Sequence, residues 1–180
     1  MPILDSVDVP REKQATTVLR TALSISTPFF ETIPLMPQSS RRYFTLEEAN
    51  RLLPEVRSIV EPMTELARDI HQRRERLNAL TGYRGESFGP YRDELVAMLQ
   101  ELESDSRRLR EYLIQLSDLG VEPKGVLDGI VDFPAQGPEG EVLLCWKLGE
   151  PEIQYFHDPH SGFAGRRPVS ELFDREGKTG

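Results

Sequence analysis

Cysteine and tryptophan occur once each in these 180 residues, histidine three times, and aromatics make up only 8% of the chain. A lone cysteine, Cys145, rules out an intrachain disulfide, and a bridge-free chain of this size fits a reducing compartment. The expected location is therefore the cytoplasm. No apolar run approaches the ~18 residues needed to span a bilayer, so a membrane is not an expected partner. The start of the chain is acidic and lacks the apolar stretch of a signal peptide. There is no phosphate-binding glycine loop, nucleophile elbow or paired-cysteine zinc motif, which removes the most recognisable enzyme classes. Basic charge is also scarce: 22 Lys and Arg stand against 30 Asp and Glu, a net charge of −8. Acid is densest over residues 120–180, with 11 acidic against 6 basic residues. Such a surface repels phosphate backbones at long range and argues against general nucleic-acid binding.

What is present suggests one domain with an appendage. Residues 1–40 carry no periodic apolar face and are rich in Ser, Thr and Pro, the composition of a disordered or weakly ordered arm. Met36 begins an ordinary short lead into the domain, so translation from Met36 is one expectation and a genuine flexible tail is the other. The domain proper is expected over 41–170, with a helical part over 45–119 and a β part over 121–169. Residues 171–180 read as a loose tail.

Thr45-Leu46-Glu47-Glu48 is a capping box, with Tyr43 and Phe44 placed to staple the helix entry. A short helix is expected to end at Leu53, because Pro54 suits the first turn of a new helix. The second helix runs to about Leu80, with a kink at Pro62. It carries Val56, Ile59, Met63, Leu66, Ile70, Arg73, Leu77 and Leu80, alternating three and four residues apart, which is a coiled-coil-like seam. The segment TGYRGESFGP is a loop. The next helix repeats the seam with Leu95, Leu99, Leu102, Ser106, Leu109, Leu113 and Leu116, and Gly120 stops it. The two helices should fold back as an antiparallel hairpin, placing Arg73 near Leu99 and Ser106 near Leu66. These polar members read as register control, or as an arginine that snorkels to water. The basic run HQRRER at 71–76 reads as part of a solvated face.

Beyond Gly120 the pattern becomes that of strands. VLDGIVDFPA, EVLLCWKL and IQYFHDP, joined by short turns, predict a three-stranded antiparallel β-meander. Val142, Leu144 and Trp146 share one face of the middle strand; Leu143, Cys145 and Lys147 share the other. Ile153, Tyr155 and His157 are expected together on the third strand. Three strands cannot bury a core alone, so the meander must lie on the hairpin in an α+β domain.

FTLEEANRLLPEV, VDFP, LCWKLGE and FHDPHSGFAGR, in that order and spacing, resemble a bacterial family of domains of unknown function, DUF2203, over about residues 43–169. The resemblance carries no established activity. It draws attention to Trp146, Gly149, Glu150, His157, Gly162, Phe163, Gly165 and Arg166, and leaves His160 and Arg167 outside the motif.

The chemistry open to this block is limited. Asp132, Glu150 and His157 are the candidate metal ligands, with Asp158 and His160 as further donors. Trp146, Glu150, Tyr155, His157 and Arg166 could line a pocket for a small molecule or anion, with the Arg166 fork as its polar anchor. General acid–base work by His157 with Glu150 requires the two within hydrogen-bond reach. The plainer expectation is a structural wall. In it, Glu150 and Arg166 pair, His157 bonds a backbone carbonyl, and Cys145 is a small core residue rather than a nucleophile. The resulting functional expectation is a non-enzymatic interaction or scaffold domain. Its hairpin would pair with a second copy into a four-helix bundle. Binding of a small molecule, anion or metal, possibly with catalysis, is the alternative.

Overall fold

The computed structural model describes residues 41–83 and 92–174. The expectations for the first forty residues and for most of the interhelical loop lie outside them. Helix α1 spans Leu46–Tyr83 and helix α2 spans Arg92–Asp118. Strands β1 (Glu122–Gly125), β2 (Ile130–Gly137), β3 (Gly140–Lys147), β4 (Tyr155–His157) and β5 (Arg167–Pro168) form one antiparallel sheet in sequential order. A short helix, α3, covers Ser170–Asp174, where a loose tail is expected from the sequence. The α+β class holds, with a helical hairpin and a meander, but the sheet has five strands rather than three.

The capping box forms in full. Glu48 N–H donates to Thr45 Oγ1 at 3.2 Å, and Thr45 N–H donates back to Glu48 Oε2 at 2.9 Å. These bonds hold the Glu48 carboxyl below its usual range, the backbone bond from Thr45 being the largest cause. Phe44, just outside, is buried, meets Phe133 edge-on at 5.4 Å and donates its N–H to Pro134 O. The helix entry is thereby stitched to β2. Thr45→Ala should lower stability by about 1 kcal/mol, a few degrees in thermal melting. An unchanged melting temperature would mean that the cap is redundant with the Phe44 anchor.

The expected break at Leu53-Pro54 does not occur: α1 runs unbroken through both Pro54 and Pro62. Pro54 faces solvent, while Ala49, Leu53, Val56 and Val60 are buried on either side of it. Burial of one continuous face outweighs the single backbone bond that the proline removes. At the other end, the Val121 N–H bonds Leu116 O and the Gly120 N–H bonds Ser117 O. This double closure requires the left-handed conformation that Gly120 adopts at φ 82°.

Among the described residues both seams are buried or half-buried, but the register differs from the expected one. Arg73 pairs with Asp105 and Asp69 instead of standing at Leu99. Ser106 receives a 3.3 Å bond from Arg74 rather than lying at Leu66. A heptad repeat is nearly invariant to a one-heptad slip, so the apolar pattern alone leaves the offset open. The charge pairs distinguish the alternatives.

Val131, Phe133, Ala135, Val142, Leu144, Trp146 and Phe156 lie in one core cluster with Val56, Val60, Met63, Leu109 and Leu116 of the hairpin. Ile153 joins this core instead of sharing a face with Tyr155 and His157. It lies before β4 begins, so strand alternation does not govern it. The two unexpected strands are sheet edges. β1 reads EPKG and β5 is two residues ending in Pro; neither has strand composition. Residues 126–129, expected to be strand, make the turn from β1 into β2. Gly129 sits there at φ 66°, where a Cβ would come within 2.6 Å of Leu148 Cβ. The turn can approach the helix only with glycine at that position.

Candidate functional site

Five of the sequence-highlighted residues, Trp146, Glu150, Tyr155, Phe163 and Arg166, belong to a single tie built around Glu150. Trp146 is fully buried on the hairpin side of β3, and its indole N–H donates to Glu150 O at 3.0 Å. Arg57 of α1 donates to the same carbonyl at 3.1 Å, with its guanidinium 5.6 Å from the indole ring. Glu150 Oε2 accepts from the Lys147 N–H at 2.9 Å and from Arg166 Nη2 at 2.8 Å. Arg166 also donates to Cys145 O at 3.1 Å. Its guanidinium lies 4.3 Å from the Tyr155 ring centre and 4.7 Å from that of Phe163. Burial disfavours the arginine charge, and the bond to Glu150 leads the effects that more than restore it, leaving the group above its ordinary range. Helix, hairpin tip and final loop thus meet at one glutamate, and Arg166 Nη2 is taken by groups of this chain, while its Nε is buried without a hydrogen-bond partner. Trp146 and Tyr155 are not two walls of one pocket, because they lie on opposite faces of the sheet.

His157 joins a different cluster on the sheet face away from the hairpin. Asp132 of β2 and Cys145 of β3 are cross-strand partners, and β4 pairs with β3 so that Tyr155 stands opposite Cys145. His157, two residues along β4, is a diagonal neighbour of Cys145 on the same face. The ligating atoms of Asp132, Cys145 and His157 all lie within 4.8 Å of one another. Asp132 and Cys145 are 0% exposed and His157 3%. His157 Nε2 is 3.0 Å from Asp132 Oδ2, and its Nδ1 is 2.8 Å from Asp158 O. Burial pushes the Asp132 carboxyl above its usual range, against the opposing pull of Cys145 and His157. Burial, reinforced by the Asp132 charge, also pushes the Cys145 thiol far up. A thiol so placed is a poor nucleophile.

Of the expected metal ligands, Asp132 and His157 come together. Glu150 is not in their cluster; its carboxylate is taken by Arg166 and the Lys147 amide. Nor is Glu150 among the hydrogen-bond partners of His157, which are Asp132 and Asp158. His160 is exposed. The residue that sequence reasoning missed is Cys145. Its signal was legible: strand alternation puts it opposite in face to Trp146, and a tight turn at 138–139 pairs it with Asp132.

A crevice of about 150 Å³ opens at the other end of the strands, lined in part by Glu141, Asp158, Arg167 and Glu171. It falls below the ~300 Å³ at which ligand pockets begin. Among the described residues no helix is long and apolar enough to cross a membrane.

No curated protein and no solved structure matches the chain. A family model does: the one described as an uncharacterized conserved protein, DUF2203, aligns with residues 42–169. That span holds the capping box, the hairpin, the Glu150 tie and the buried Asp132–Cys145–His157 cluster, and the chain belongs to the DUF2203 family.

Proposed function

We propose that this is a non-enzymatic, cytoplasmic interaction domain that works through its helical hairpin, with a second copy of the chain as its partner. The observation that carries the reading is the reach of the hairpin past the sheet. Arg68 donates to Leu127 O in the turn between β1 and β2. Beyond it, Arg73 and Arg74 reach across to Asp105 and Ser106 on α2. Residues 69–83 add about 22 Å of helix at 1.5 Å per residue. Within this arm Ile70, Leu77, Leu95 and Leu102 are buried along the seam, while Met98 is exposed on its outside. Two such arms side by side make a four-helix bundle. The commitment of Glu150 and Arg166 to each other also supports a wall rather than an anion pocket at the hairpin tip. The single cysteine and the absence of membrane-length helices among the described residues accord with the location.

Sedimentation of the full chain over a wide concentration range tests the reading. The expected result is a monomer–dimer equilibrium that disappears when residues 77–102 are replaced by a short Gly-Ser turn, with the rest of the fold retained. Monomer alone at the highest concentration removes the second copy as partner.

A further inference from the structure

The Asp132–Cys145–His157 cluster contains a feature that a structural wall does not explain. Asp132 Oδ1 is fully enclosed and has no partner at ordinary hydrogen-bond distance; besides His157, the Cys145 thiol is the group of the cluster that acts on this carboxylate. Buried polar atoms are almost always paired, and an orphan carboxylate oxygen is among the costliest exceptions.

The histidine narrows the explanation. A backbone carbonyl can only accept, so the 2.8 Å contact with Asp158 O places a proton on His157 Nδ1. Asp158 O also receives the Ser161 N–H and hydroxyl, which fixes that carbonyl at the start of the final loop. The other ring nitrogen, Nε2, is turned toward Asp132 and lies within the same cluster as the Cys145 sulfur. This is the outer-sphere arrangement of metal-ligating histidines: one nitrogen donates to a carbonyl, and its lone-pair partner faces the ion. The position between Nε2 and Oδ2, bridged here by a hydrogen, is one that a cation can occupy instead.

We propose that Asp132, Cys145 and His157 form a binding site for a single borderline divalent transition-metal ion of the zinc class. One carboxylate oxygen, one sulfur and one imidazole nitrogen make a donor set suited to that class, whereas magnesium and calcium take oxygen ligands alone. The ligands come from three neighbouring strands, β2, β3 and β4, which gives the site a rigid frame rather than a loop. A bound ion would cross-link those strands and give the orphan Oδ1 a charge to face. The site is independent of the hairpin arm.

The chain's single cysteine makes the test direct. Full-length protein is stripped with a chelator and titrated with cobalt(II), then with zinc(II) in competition. The expected result is one ion per chain, with a thiolate-to-cobalt charge-transfer band that zinc removes. Cys145 is the only thiolate available to give that band, so the wild-type spectrum alone decides whether it is a ligand. Cys145→Ser should abolish the band, and His157→Ala should weaken zinc binding at least tenfold. His160→Ala, an exposed histidine, should leave affinity unchanged. A folded wild-type chain that takes up no cobalt, or takes it up without the charge-transfer band, overturns the site. So does zinc affinity that survives in a folded His157→Ala chain.

Discussion

Replacing Trp146 with alanine should destabilise the domain by about 4 kcal/mol, read as a fall in the denaturation midpoint at constant slope. Trp146 is 0% exposed and sits in the core shared by sheet and hairpin. Its removal leaves a large cavity between layers that are both rigid. It also leaves Glu150 O with Arg57 as its remaining side-chain partner. Trp146→Phe keeps most of the volume and loses the indole N–H, so its cost should be about 1 to 2 kcal/mol. Similar losses for the two variants would show that the hydrogen bond, not the packing, dominates. A loss below about 1 kcal/mol for Trp146→Ala would contradict the two-layer core itself.

Glu150→Ala should cost about 3 kcal/mol. The Glu150 and Arg166 side chains are 21% and 11% exposed, so removing the carboxylate strands an arginine that is mostly enclosed. The Lys147 amide loses its acceptor at the same time. Glu150→Gln retains an acceptor for that amide and should cost about half as much. A double-mutant cycle with Arg166→Ala should return a coupling of about 1 to 3 kcal/mol. Additive losses, with no coupling, would mean that the 2.8 Å contact contributes nothing and that Arg166 is held by Cys145 O and by the Tyr155 and Phe163 rings instead. The outcome bears on function, because a tie of this strength keeps the final loop closed over the face that holds Cys145.

The polar pairings were only partly legible in the sequence. Alternation placed Trp146 and Cys145 on opposite faces, yet Trp146 still entered the same candidate pocket as Tyr155 and Arg166. Proximity in the chain is not proximity in space across a sheet. Glu150 is a carboxylate near Asp132 and His157 in sequence, which is why the sequence suggests it as a third ligand. The sheet register decides otherwise. It brings Asp132 and Cys145 face to face across β2 and β3, and it leaves Glu150 at a turn where Arg166 meets it.

By itself the sequence determined the local elements and the class of the fold. The Thr45–Glu48 box, the two heptad seams, the Gly120 stop and the alternating strands are short-range patterns. Their physics is completed within a turn or a strand pair. The seams and the apolar strand face then leave one economical packing, a hairpin under a sheet. Tertiary structure alone decided the remaining features. Pro54 passes through a helix because a continuous buried face outweighs one lost backbone bond. β1 and β5 exist because neighbouring strands offer edges to pair with, not because EPKG or RP favour extension. The hairpin register follows from where Arg73 finds Asp105. The meeting of Asp132, Cys145 and His157 depends on strand register, which no single segment encodes, because each ligand lies on a different strand.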